Sequence, residues 1–165
     1  MSSLSSIILG EFPCSLDERY RLSIPHELAD RLVGDSPQCI LAKERAGCLS
    51  LWNAAAWQAK MDLRVKLLEQ KIQADAFGDD RIGRVQLLGR LLSTRHKAVE
   101  LKNRGRLLLP ESFRRFLGVD RDPPANELLV VGAAVCVEIW NPAAWLAYLE
   151  KRMPRFRRLF HELSQ

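Results

Sequence analysis

Two short stretches of the chain bring guanidinium groups together at fixed spacing. SLDERYRLSIP, residues 15–25, carries Arg19 and Arg21, and ELKNRGRLLLP, residues 100–110, carries Arg104 and Arg106. An Arg-x-Arg pair on an extended segment puts both side chains on one side, because alternate residues of a strand share a face. A planar guanidinium donates to guanine O6 and N7 together, and a two-stranded ribbon fits the major groove of DNA. Lys97 and Lys102 add charge beside the second pair. A plainer reading is open too: Arg21 pairs with Asp17 to hold a turn, and the other basic groups are simply solvated. The repetition favours the first reading, since a turn needs no duplicated Arg-x-Arg.

Other chemistry finds little support. His26, His96 and His161 are isolated in sequence, and no nucleophile elbow, zinc-protease helix, Walker loop or glycine-rich phosphate cradle is present. Gly83 and Gly89 fall inside a helical pattern. Cys14, Cys39, Cys48 and Cys136 show no C-x-x-C spacing and no nearby histidine, which argues against zinc and for free thiols in a reducing compartment. The reading is therefore of no catalytic residue, no metal, no cofactor and no small-molecule substrate. A net charge of +5 suits nucleic acid or an acidic partner. The start of the chain lacks the basic region of a signal peptide, and no run is long enough to span a membrane.

The arginine stretches belong to a larger repeat. Leu16, Arg19, Arg21, Leu22 and Pro25 align with Leu101, Arg104, Arg106, Leu107 and Pro110 at a constant offset of 85 positions. LSLWNAAAW, residues 49–57, then matches VEIWNPAAW, residues 137–145, at an offset of 88. Two ordered, nearly co-linear matches indicate an internal duplication. Each half alone would bury little core, so the halves must pack together.

The elements that position the arginines follow from local signals. Met1–Ser6 reads as a frayed terminus. Residues 7–24 read as strand, turn over Asp17–Tyr20, and strand ending at Pro25. Pro25 and Pro110 each open a short helix, HELADRL and ESFRRFL, with Gly34 and Gly118 as C-caps. Two short apolar runs follow in each half, broken at Ala46-Gly47 and Gly132-Ala133, and read as hairpins. Asn53 and Asn141 are N-caps for closing helices. The first closing helix, about 54–76, is broken at Phe77-Gly78-Asp79-Asp80 and followed by a second, about 80–93. The tail carries Phe156, Leu159, Phe160 and Leu163 at helical spacing among arginines. Trp52, Trp57, Trp140 and Trp145, beside helix starts, suit packing better than base stacking. These boundaries give a first module over 7–62, a helical linker over 63–96, a second module over 97–152 and a basic tail over 153–165.

As an ordered set, these residues resemble the MraZ family, DNA-binding regulators associated with the bacterial division and cell-wall gene cluster. DERYRLSIP places Arg21, and NRGRLLLP places Arg106, at the arginine of that family's Asp-x-x-x-Arg motif. The resemblance runs over about 12–151. It implies an α+β fold of tandem AbrB-like modules forming a swapped-hairpin double-split β-barrel with linking helices. It also implies assembly of the chain into a homo-oligomer, a ring, on short direct repeats of double-stranded promoter DNA, in the cytoplasm at the nucleoid. Arg21 and Arg106 inherit the DNA-contact role, with Arg19 and Arg104 beside them at phosphates. Two positions depart from the family pattern: Tyr20 stands where Gly is usual, and Lys102 where Asp is usual. A non-glycine residue at positive φ is strained, and Lys102 removes an Asp–Arg pair. The alternative is a non-catalytic interaction or structural module that keeps the fold and has lost DNA binding.

Overall fold

The computed structural model describes residues 7–74, 78–119 and 127–165. The expected frayed start, Met1–Ser6, and Phe77 of the expected helix break lie outside the described residues. The architecture is α+β, with two antiparallel sheets. The first half runs β1 (Ile8–Ser15), β2 (Arg21–Ser23), α1 (His26–Val33), β3 (Gln38–Arg45), β4 (Cys48–Asn53) and α2 (Ala54–Gln73). After α3 (Asp79–Arg95), the second half repeats the order as β5 (His96–Glu100), β6 (Arg106–Leu108), α4 (Glu111–Leu117), β7 (Glu127–Ala134), β8 (Val137–Trp140) and α5 (Pro142–Arg152). A 3-10 turn, Met153–Arg155, leads into α6 (Phe156–Leu163).

The halves are not side by side; they exchange strands. The large sheet has the order β1-β7-β8-β4-β3-β5. Thus β1 is hydrogen-bonded to the hairpin of the second half, Ile8 opposite Ala134 through Ser15 opposite Glu127. In return β5 lies on the hairpin of the first half, Gln38 opposite Glu100 through Ala42 opposite His96. The hairpins meet at the centre, where Ser50 faces Glu138, its own equivalent in the repeat. In the small sheet Leu22 faces Leu107, again its own equivalent. A local two-fold axis therefore relates the halves at both sheets.

Leucines and aliphatics from both halves fill the space between the sheets. Leu22, Leu28, Leu41, Leu49, Leu107, Phe113, Leu128 and Ile139 belong to one buried cluster. On the outer side of the large sheet, Trp140 packs with Trp145 and Tyr148 of α5, while Trp52 and Trp57 pack together at the start of α2. The tryptophans are packing residues, as their places beside the helix caps suggest.

Local signals explain most boundaries. The Asn53 side chain accepts a hydrogen bond from the Ala56 N–H, and Asn141 accepts from the Ala143 N–H, each satisfying an orphan donor of a helix start. Gly34 and Gly118 end α1 and α4 at positive φ. Pro25 and Pro110 stand at the N-cap, one place ahead of the first helical turn where the sequence put them. The second hairpin corrects the sequence reading more substantially. Gly132-Ala133 does not break it; β7 continues to Ala134, and the turn falls at Val135 and Cys136. Gly132 is instead a site of close approach, since a Cβ there would lie 2.6 Å from the Ile8 carbonyl of the exchanged strand β1.

The seating of the small sheet on the core can be tested by contrast. Leu107 is fully buried, whereas its neighbour Leu108 is 58% exposed. Leu107→Ala should cost about 2–5 kcal/mol in urea unfolding, and Leu108→Ala about 0.5 kcal/mol or less. Equal effects would mean that the strand does not alternate between core and solvent as described.

Candidate nucleic-acid interface

Strands β2 and β6 form a ribbon three residues long, with Arg21 opposite Leu108, Leu22 opposite Leu107 and Ser23 opposite Arg106. Its ladder is extended symmetrically at both ends. The Ile24 N–H donates to the Gly105 carbonyl at 2.8 Å, and the Leu109 N–H donates to the Tyr20 carbonyl at 3.0 Å. Leu22 and Leu107 point into the core, so strand alternation turns Arg21, Ser23, Arg106 and Leu108 outward together. Arg21 and Arg106 are diagonal neighbours, about 7–8 Å apart at the backbone. The two motif arginines, 85 positions apart in sequence, thus share one surface.

Arg19 and Arg104 are placed differently from the sequence expectation. Both lie in the turns that precede the strands, not on the strands, so alternation does not put them on the face of Arg21 and Arg106. Arg104 has a φ of 62° and reaches Asp30 of α1 at 3.4 Å. Both groups of that pair are well exposed, so it restrains Arg104 little.

Both turns share a pair of backbone bonds, in the first from the Asp17 N–H to the Arg21 carbonyl and from the Tyr20 N–H to the Asp17 carbonyl, each 3.0 Å, but the first turn adds a carboxylate. In the first, the Asp17 carboxylate accepts from the Arg19 N–H at 2.8 Å and from the Arg21 N–H at 2.9 Å. Its second oxygen accepts from Arg21 Nε at 2.9 Å. The Arg21 N–H foremost, then its guanidinium and the Arg19 N–H, hold the Asp17 carboxyl below the usual aspartate range. The plainer sequence reading of Arg21 is therefore realised, but the pair sits at the surface, with a third or more of each side chain exposed. In the second turn Lys102 occupies the place of Asp17. The turn is closed by backbone alone, with the Lys102 carbonyl accepting from the Gly105 and Arg106 N–H groups at 3.0 and 2.6 Å. Among the described residues no carboxylate pairs with Arg106.

Tyr20 keeps the positive φ that its position demands, at 61°. A left-handed non-glycine residue costs about 1–2 kcal/mol. Its ring offsets part of this by packing on the core, with the Arg114 guanidinium 3.8 Å from the ring centroid. The equivalent Gly105 has a φ of 142°, and a Cβ there would lie 2.6 Å from the Ile24 carbonyl, so only glycine fits. Positive φ at Asn103, Arg104 and Gly105 winds the second turn differently from the first.

Elsewhere the described residues hold no group of three or more His, Cys, Asp or Glu side chains able to hold a metal ion. Burial pushes the Cys39 thiol up to about 11 and the Cys136 thiol to about 12, which suppresses the reactive thiolate. Among the described residues no helix is long and apolar enough to cross a membrane. Sequence reasoning missed Leu108, exposed beside Arg21. Extending the period-two alternation through Arg106-Leu107-Leu108-Leu109 would have found it.

The Asp17 network makes a pH prediction. Its folded-state carboxyl lies below the ordinary value, so the order it gives the first turn is complete above the unfolded pKa and is lost as pH falls through the folded one. Carbon-13 NMR should show Asp17 titrating below the usual aspartate range, with the Arg19 and Arg21 amide resonances moving at the same midpoint. An ordinary midpoint would mean that the carboxylate does not close the turn.

The family model described as MraZ protein matches residues 94–160, from the end of α3 through the second arginine turn to α6. The protein named transcriptional regulator MraZ of Shewanella loihica is 32% identical over 143 residues, covering 86% of this chain and 84% of its own. Proteins of the same name from Thermomicrobium roseum and Syntrophomonas wolfei are 29% and 26% identical. Their alignments cover 87% and 95% of this chain, and 88% and 96% of theirs. With that identity over nearly the whole length, on a duplicated chain with an arginine at each motif position, this protein belongs to the MraZ family.

Proposed function

We propose that this chain is a transcriptional regulator that binds short direct repeats of promoter DNA as an oligomer, through the surface formed by β2, β6 and their turns. Its relatives are named transcriptional regulators, and such proteins bind DNA rather than catalyse a reaction. The observation that carries the reading is the convergence of Arg21 and Arg106 on one outward face of a two-stranded ribbon. A ribbon of that kind is a known way into the major groove. Arg19, Arg104 and Lys102 flank it and supply charge for phosphates.

The fold implied by the resemblance, a swapped-hairpin double-split β-barrel of two modules over 7–62 and 97–152, is supported by the exchange of β1 and β5 between the halves. The helices over 63–96 serve as linker, and 153–165 as a basic tail. One ribbon buries too little surface for useful affinity, so several copies must engage repeats together. Uncovered apolar side chains suit such an assembly: Leu63 and Leu67 on α2, Leu87 and Leu91 on α3, Phe156 and Phe160 on α6. Ring closure would join unlike patches of successive copies. A DNA-bound regulator works in the cytoplasm, at the nucleoid.

A module that has lost DNA binding is the rival reading. The observation in its favour is the Asp17–Arg21 pair, which leaves the first turn with balanced charge. Gel shifts on the DNA upstream of the protein's own gene separate the two. Arg21→Ala and Arg106→Ala should each weaken binding by about 1–3 kcal/mol while the protein stays folded. Unchanged affinity in both variants, or no binding by the parent protein at low salt, would favour the rival. Sedimentation at micromolar concentration should show a species well above the monomer, and a clean monomer would contradict multivalent binding.

A further inference from the structure

The backbone around the ribbon is nearly two-fold symmetric, but the side chains it carries are not. Between Leu16 and Leu22 the charges are Asp17, Glu18, Arg19 and Arg21, which cancel. Between Leu101 and Leu107 they are Lys102, Arg104 and Arg106, three positive groups and no acid. The outward neighbours differ in the same sense. Arg21 has the exposed Leu108 directly across the ladder, and Arg106 has Ser23.

We infer that the two turns divide the work: Arg21, positioned by Asp17 and partnered by Leu108, reads a guanine next to a thymine, whereas Lys102, Arg104 and Arg106 grip phosphate. This rests on the DNA-binding reading and assigns different jobs to motif positions that the repeat makes equivalent. The Asp17 carboxylate occupies Arg21 Nε. It thereby fixes the plane of the guanidinium and leaves both terminal amino groups free, the arrangement that suits guanine O6 and N7. A guanidinium without such a brace must lose more rotational freedom to make the same two bonds. An apolar side chain beside a base-reading arginine has one apolar group to meet in the major groove, the thymine methyl. Leu108 is the residue so placed, exposed directly across the ladder from Arg21. Of the three cations of the second turn only Arg104 meets a carboxylate, the well-exposed Asp30 at 3.4 Å, and among the described residues Lys102 and Arg106 have none; Ser23 adds a hydroxyl. That set suits phosphate oxygens, where charge and donors count and base identity does not. The ribbon therefore lies on a duplex in one orientation only, and copies joined head to tail would read repeats in the same direction.

The test uses the full-length protein in its own assembly. The probe is a duplex recovered by that protein from a random-sequence pool, with a scrambled counterpart, titrated across a salt series. Asp17→Asn still accepts from the Arg19 and Arg21 N–H groups, so the turn stays closed while the charge that braces Arg21 is lost. It should lower the ratio of selected to scrambled affinity about tenfold and leave the salt slope unchanged. Asp17→Glu should restore part of that ratio, an outcome that a purely structural role would not give. Lys102→Gln should weaken both duplexes alike and lower the slope by roughly one per engaged subunit. Replacing single thymines by deoxyuridine should reveal one whose methyl the parent protein senses and Leu108→Ala does not. Equal effects of Asp17→Asn and Lys102→Gln on ratio and slope would overturn the division of labour, as would methyl sensing retained in Leu108→Ala. A pool that yields no preferred sequence would instead refute sequence-specific binding itself, and this inference with it.

Discussion

Leu22 and Leu107 meet across the β2–β6 ladder on the local two-fold axis, and the candidate interface depends on that contact. Each strand is only three residues long and would not persist alone in water. Both leucines are fully buried in the shared core, and this burial holds the strands in register. Because side chains alternate, fixing the leucines inward fixes Arg21, Ser23, Arg106 and Leu108 outward. A one-residue slip would bury the arginines, so hydrophobic burial in the core sets the geometry of a polar surface.

The strand exchange in the large sheet serves the same end. With β1 on the second hairpin and β5 on the first, neither half can fold its sheet to completion without the other. The arginine turns follow directly on β1 and β5, so the exchange carries each turn to the shared axis. Duplication supplies a symmetric frame, and divergence within the frame makes it polar. Asp17 and Lys102, Tyr20 and Gly105, and Ser23 and Leu108 occupy equivalent places with unlike chemistry. Tyr20 shows how such divergence is tolerated, its backbone strain offset by the stack on Arg114.

Much of this was legible from sequence, and what was not has a physical reason. The offset of 85 between the arginine stretches identified the equivalent turns, and Asn53 and Asn141 marked helix starts because capping is a local hydrogen bond. The exchange was not legible from the residues. Strands β3 and β7 share one pattern of exposure, so nothing local says which hairpin receives β1. Gly132 looks like a turn in sequence because glycine marks turns and close approaches alike, and only the partner strand tells them apart. Arg19 and Arg104 fell off the strand face because each strand begins two residues later, a boundary that short apolar runs do not fix. The contrast between Arg21, braced by Asp17, and Arg106 was visible as a substitution, Asp for Lys, before its geometry was known.

The central claim is that the turns of both halves form a single DNA-facing surface. Hydrogen exchange of the full-length protein, free and saturated with the pool-selected duplex, tests it most directly. The account predicts slowed exchange in 17–23 and 102–108 together, at the same DNA concentration. Protection confined to one turn, or confined to the α2–α3 pair or α6 with both turns unchanged, would contradict it.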